Sequence, residues 1–101
     1  MAKSGKSSGS DRALKLGRDV RIATAAAIFD AFREASLAKE SSILIDGGQV
    51  EKADTAGLQA LLAGRRALES AGKKIVWASC APQLRSAAEL LGIARALELP
   101  L

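Results

Sequence analysis

Residues 43–62 read ILIDGGQVEKADTAGLQALL. Ile43-Leu44-Ile45 is a short apolar run closed by Asp46 and the pair Gly47-Gly48, which predicts a strand buried on both faces or nearly so. Val50 to Asp54 reads as a short linker. Asp54-Thr55-Ala56-Gly57 then opens a second helix, with a carboxylate at the N-cap and a hydroxyl one residue later. A buried strand followed by a capped helix is half of a βαβ unit and points to an α/β fold.

Working outward, the helix from Thr55 to about Ala71 carries a stripe of small residues: Ala60, Leu61, Gly64, Ala67, Leu68 and Ala71. Gly64 inside a helix costs about 1 kcal/mol relative to alanine, which close packing of the helix on a sheet would offset. Gly72 is a C′ stop, and Lys73-Lys74 follow near the negative helix end. Ile75 to Ala78 predicts another strand, with Trp77 as packing. Pro82 suits the first turn of a third helix. That helix has an apolar face of Leu84, Ala87, Ala88 and Leu91 and closes at Gly92. Ala96 to Leu99 reads as a last edge strand.

Upstream, Thr24 to about Lys39 is a helix with Thr24 as N-cap and Ala25, Ile28, Phe29, Phe32 and Ala35 on one face. Before it, Leu14 and Leu16 alternate with Lys15, and Val20 and Ile22 flank Arg21, so a small antiparallel hairpin is expected. Residues 1–11 are Ser-, Gly- and Lys-rich and predict a flexible N-terminal arm, leaving 12–101 as one domain. The expected order is β-β-α-β-α-β-α-(β). The fold class is a mixed β-sheet of four to five strands with helices mainly on one face.

Composition limits the chemistry. The 101 residues hold no histidine and one cysteine, Cys80. This removes histidine acid–base catalysis, an internal disulfide and the usual Cys/His zinc site. Cys80 reads as a small buried residue. The net charge is +4, and Lys3, Lys6 and Arg12 against Asp11 account for +2 of it. The nearly balanced remainder argues against nucleic acid as a partner. No apolar run reaches the roughly 20 residues of a membrane span, and no secretory signal is visible. The expected location is the cytoplasm.

Asp54 and Thr55 have two readings: simple caps, or the mouth of a helix whose free N–H groups hold an anion or meet a partner. A phosphate on Thr55 would bring roughly 1.5 to 2 negative charges there. Asp46, at the carboxyl end of the central strand, is a candidate anion or nucleotide contact. Asp46 with Asp54 could form a phospho-acceptor or magnesium pair, but Asp11 and Asp19 are poorly placed to supply the further acidic pair that reading needs. Gly47-Gly48 lacks the GK[ST] of a P-loop. Leu58 and Leu62 are expected to pack on the first helix. The alternative is an exposed apolar contact framed by Arg65, of the composition usual at protein interfaces.

The strand ending in Asp46, then ADTAGLQALL, KKIVWA and PQLRSAAELLGI before ALEL, resembles the STAS domain family over residues 12–101. Asp54-Thr55-Ala56-Gly57-Leu58 resembles the family turn D-[ST]-[STAG]-G-L, and Leu91-Gly92-Ile93 resembles its closing helix-to-strand turn. The resemblance implies a protein-interaction module with no catalysis, metal or cofactor. It implies Thr55 as phosphoacceptor candidate and Asp54, Thr55, Ala56, Gly57, Leu58, Leu62 and Arg65 as partner-binding residues. Anti-sigma-factor antagonists of this family bind a switch kinase, and many carry a second hydroxyl where Ala56 stands. Other members are subunits of bacterial lipid-asymmetry ABC transporters, which dock on the ATPase; DTAG is closer to their pattern. The leading expectation is an antagonist-like signalling module, with the transporter subunit as alternative and a homodimer left open.

Overall fold

The computed structural model describes residues 11–100. The N-terminal arm expected over 1–11 therefore lies almost wholly outside the described residues. Five strands and four helices follow: β1 (Asp11–Lys15), β2 (Asp19–Val20), α1 (Ile22–Leu37), β3 (Ser42–Gly47), β4 (Lys52–Ala53), α2 (Thr55–Ser70), β5 (Lys74–Cys80), α3 (Pro82–Leu90) and α4 (Ala94–Leu97). The class is α/β, compatible with a STAS-like fold, but the strands form two separate sheets. One is parallel, in the order β1-β3-β5; the other is the two-residue parallel pair β2-β4.

Three expectations about the strands are corrected. β1 and β2 do not form an antiparallel hairpin. Gly17 turns the chain with φ +75°, so β1 pairs with β3 and β2 with β4, each in parallel. The linker expected over 50–54 supplies β4, which is too short to show a period. The last edge strand is instead the helical turn α4. The Leu97 carbonyl there accepts hydrogen bonds from Arg65 Nη1 and Trp77 Nε1, each at 2.8 Å. Two side-chain donors hold the segment as a turn where a last edge strand was expected.

Among the described residues, the sheet has one face covered by helices and one left open. Leu14 on β1, Ile43 and Ile45 on β3, and Trp77 on β5 point inward among Ile28, Phe32, Leu61, Leu68 and Leu84. α1 and α2 pack against each other over this face. Gly64 permits the approach: a Cβ there would lie 2.6 Å from Phe32 Cβ, closer than any real contact. The stripe expected to lie on a sheet is therefore corrected at Gly64, where α2 meets α1 at a seam and the aromatic Phe32 takes the space a side chain would need. Gly47 similarly leaves room for Leu84 and Trp77. Lys73 closes the far end of α1, its ammonium donating to the carbonyls of Ala38 (2.6 Å) and Glu40 (2.5 Å).

Thr24 is corrected from N-cap to the third helical residue. Its hydroxyl accepts the Arg21 N–H at 3.2 Å, while Arg21 occupies the N-cap in extended conformation. No helix among the described residues is long and apolar enough to cross a membrane.

Candidate functional site

The short β2-β4 pair brings the starts of α1 and α2 to one place. Val20 lies beside Ala53, and each helix begins within two residues of its strand. Asp54 then joins the two helix ends. Its Oδ1 accepts the Gly57 N–H at 2.8 Å, a standard N-cap bond within α2. Its Oδ2 accepts the Ile22 N–H at 3.1 Å, a first-turn donor of α1 from 32 residues away. One carboxylate therefore satisfies donors of two helices and sits where both positive helix ends converge. The Asp54 N–H in turn donates to Val20 O at 3.0 Å.

Gly57 is fixed by the same crossing. A Cβ at this position would stand 1.9 Å from the Val20 carbonyl oxygen. The glycine of the turn is therefore a close approach between α2 and β2, and glycine alone fits it. The motif Asp54-Thr55-Ala56-Gly57-Leu58 has a physical reading: a double cap, an exposed first residue, a half-buried second, a helix–strand contact and a core anchor.

Four of the expected partner-binding residues are buried, although Leu58 still lines a cleft beside Thr55. Leu58 and Leu62 are buried in the core, and Gly57 is closed by Val20. Their burial follows from α2 packing on α1 and on the sheet, so its inward face is wider than the small-residue stripe. Arg65 is only 4% exposed. Beside its bond to Leu97 O, it pairs with Glu69 Oε2 at 3.2 Å and Glu98 Oε1 at 3.1 Å, pinning the C-terminal turn. Asp54, Thr55 and Ala56 remain at the surface, with Thr55 exposed and the other two half-buried.

Asp46 is not brought into the same cluster. It ends β3 on the open sheet face, where its Oδ1 accepts Ser79 Oγ–H at 2.6 Å and Gly48 N–H at 3.0 Å. The Ser79 hydroxyl first, then the Gly48 amide and the nearby Lys15, hold its carboxyl below the ordinary carboxylate range. The two aspartates thus answer to different partners and build no shared pair. Among the described residues no three of His, Cys, Asp and Glu gather as metal ligands. Burial pushes the Cys80 thiol up, which disfavours the thiolate a nucleophile requires.

The surface next to Thr55 contains residues that the sequence did not single out. Ala53, Asp54, Thr55, Leu58, Ala87, Leu90 and Leu91 line a shallow cleft of about 160 Å³. Leu90 is 87% exposed, and Ile22, on the far side of the Asp54 bridge, is 74% exposed. Arg21 and Lys52 border an adjoining groove that also reaches Leu90. A chelate of Asp19 by Arg21, at 2.7 and 3.0 Å, holds the guanidinium in place. Leu90 could have been found by spacing, because it falls off the stripe of Leu84, Ala87, Ala88 and Leu91.

Comparison with known proteins agrees with this architecture. No curated protein matches the sequence. A solved structure described as "Crystal Structure Analysis of Mglu" superposes with a TM-score of 0.61 at 20% identity, over 73% of this chain and 18% of that one. The likeness is one of fold, and the chain spans less than a fifth of that protein's length. The family model described as "Mlab, STAS domain" matches residues 5–100. With the DTAGL turn and the βαβ frame behind it, this match shows that the chain belongs to the STAS domain family.

Proposed function

We propose that this STAS domain is a non-enzymatic docking module, cytoplasmic in location, that binds a protein partner at the corner where α1 and α2 begin. The observation that carries this reading is the apolar exposure around Thr55. Leu90, Leu91 and Ile22 are large side chains left in solvent beside Asp54-Thr55-Ala56, and Arg21 and Lys52 rim them. Apolar anchors with arginine close by are the usual composition of an interface.

Thr55 is exposed, so its hydroxyl is open to a kinase. A phosphate there would set roughly 1.5 to 2 negative charges among the apolar anchors and oppose docking. Two partner classes fit: a switch kinase or anti-sigma factor, and the ATPase of a lipid-asymmetry ABC transporter. Ala56, which stands where many switchable antagonists carry their phosphate, favours the transporter ATPase. So does the family description "Mlab, STAS domain".

Affinity capture from the native cell with wild type, Thr55→Glu and Leu90→Glu tests the reading. Recovery of an ATPase–permease complex by wild type and its loss in both variants supports it. Recovery of a switch kinase instead selects the antagonist role. Partner capture that is equal in all three proteins contradicts the docking corner.

A further inference from the structure

The open face of the β1-β3-β5 sheet is unlike the rest of the surface. Parallel sheets occur almost only with both faces covered, yet among the described residues helices cover one. Strand register arranges nine side chains on the open face in three rows. Asp11, Ser42 and Lys74 form the first, Ala13, Leu44 and Val76 the second, and Lys15, Asp46 and Ser79 the third. None of the nine is buried, and Val76 is 38% exposed. An irregularity in the β3-β5 ladder lets Ser79 rather than Ala78 stand beside Asp46.

We propose that this face binds a second copy of itself, sheet on sheet, about a two-fold axis lying between the sheets and perpendicular to the strands. The argument is self-complementarity. Such a rotation lays the first row over the third row of the other copy. Asp11 then faces Lys15, Ser42 faces Asp46, and Lys74 faces Ser79, each twice. The second row meets itself, so Ala13, Leu44 and Val76 form an apolar centre. No like charges are opposed. In the pair, Asp46 Oδ2 is the oxygen that accepts from Ser42, since Oδ1 already serves Ser79 and Gly48. Packed sheets align within about 30° at a spacing of ~10 Å, which preserves these row-to-row contacts.

The face is small. Three strands ~4.8 Å apart and about five residues long, at ~3.3 Å each, span roughly 250 Å². Stable complexes bury ~800 Å² per partner, so the dimer is a weak and reversible one that forms as concentration rises. It leaves the Thr55 corner free and stands apart from the docking function proposed for that corner.

Sedimentation velocity of the full chain from about 10 to 500 μM tests the dimer. Wild type should show a monomer–dimer equilibrium that weakens as salt is raised. Leu44→Asp, which sets two carboxylates against each other at the axis, should weaken association at least about tenfold. Lys15→Asp should do the same, because it opposes a carboxylate to Asp11. The double variant Asp11→Lys with Lys15→Asp should restore association to within about threefold of wild type, because the pair is only exchanged. Thermal melting confirms that each variant is folded, and if Leu44→Asp is not, the charge-exchange series decides alone. A wild-type chain that stays monomeric throughout overturns the proposal. So does a dimer indifferent to Lys15→Asp, or a double variant no better than Lys15→Asp by itself.

Discussion

Asp54→Ala is the sharpest test of how the site is built. The carboxylate caps α2 through Gly57 and α1 through Ile22, so the substitution orphans donors on two helices at once. Loss of a single cap costs about 1 kcal/mol, within a range of roughly 0.5 to 2. Two caps sum to ~2 kcal/mol. For a domain of this size each kcal/mol lowers the melting temperature by ~4–8 °C, so the expected fall is about 8–16 °C. Asp54→Asn keeps one acceptor oxygen and should lose about half as much. Calorimetry measures the sum, and amide exchange divides it: the Ile22 and Gly57 N–H groups should both lose protection. A cost under about 0.5 kcal/mol would refute the double cap. So would a full loss at Gly57 with Ile22 unchanged, which would leave Asp54 an ordinary cap of α2.

Other substitutions probe the frame. Gly57→Ala drives a methyl into the Val20 carbonyl and should destabilise by about 2–3 kcal/mol in urea unfolding, with Ser no better. Gly64→Ala should also destabilise, because the clash with Phe32 outweighs the ~1 kcal/mol gained in helix propensity; a rise in the urea midpoint would contradict the seam. Arg65→Ala removes a donor from Leu97 O and the partner of Glu98, and should loosen α4 and shift the emission of the single tryptophan, Trp77, to the red. The Asp46 carboxyl is held low chiefly by Ser79, so its contribution to stability is complete above the ordinary carboxylate pKa and is lost as pH falls through the lowered folded value. Ser79→Ala should move the Asp46 titration, followed by NMR, back toward the ordinary range.

Local signals carried the helices and the long strands. Ile28, Phe32 and Ala35 showed the buried side of α1 through their spacing, and Gly72 and Gly92 marked helix ends where φ is +77° and +74°. The turn Asp54-Thr55-Ala56-Gly57-Leu58 located the site, because capping chemistry is written in adjacent residues. Partnership was not legible. Nothing near Val20 tells that it pairs with Ala53 rather than with β1, and β2 and β4 are two residues each. The Asp54 bond to Ile22 spans 32 residues, so Asp54 looked like the cap of one helix. Leu58 and Leu62 were expected from their spacing to pack on the first helix, and it was the family resemblance that set them with Arg65 among partner-binding residues; helix spacing gives a residue's direction but not what fills that direction. Arg65 in particular is buried by α4, the segment read as a strand. Leu90 and Ile22 were missed for other reasons: Leu90 was placed on no face, and Ile22 was read into the expected hairpin although it opens α1.

The central claim is that a partner sits on the Thr55 corner. A photo-crosslinking amino acid placed at Leu90, and in separate proteins at Ile22 and at Arg33 on the exposed side of α1, measures this in native cells. The account predicts that positions 90 and 22 crosslink to the same protein, an ATPase–permease component or a switch kinase. It predicts that position 33 does not, and that Thr55→Glu abolishes both products. Crosslinking at position 33 alone, or products at 90 and 22 that survive Thr55→Glu unchanged, would contradict it.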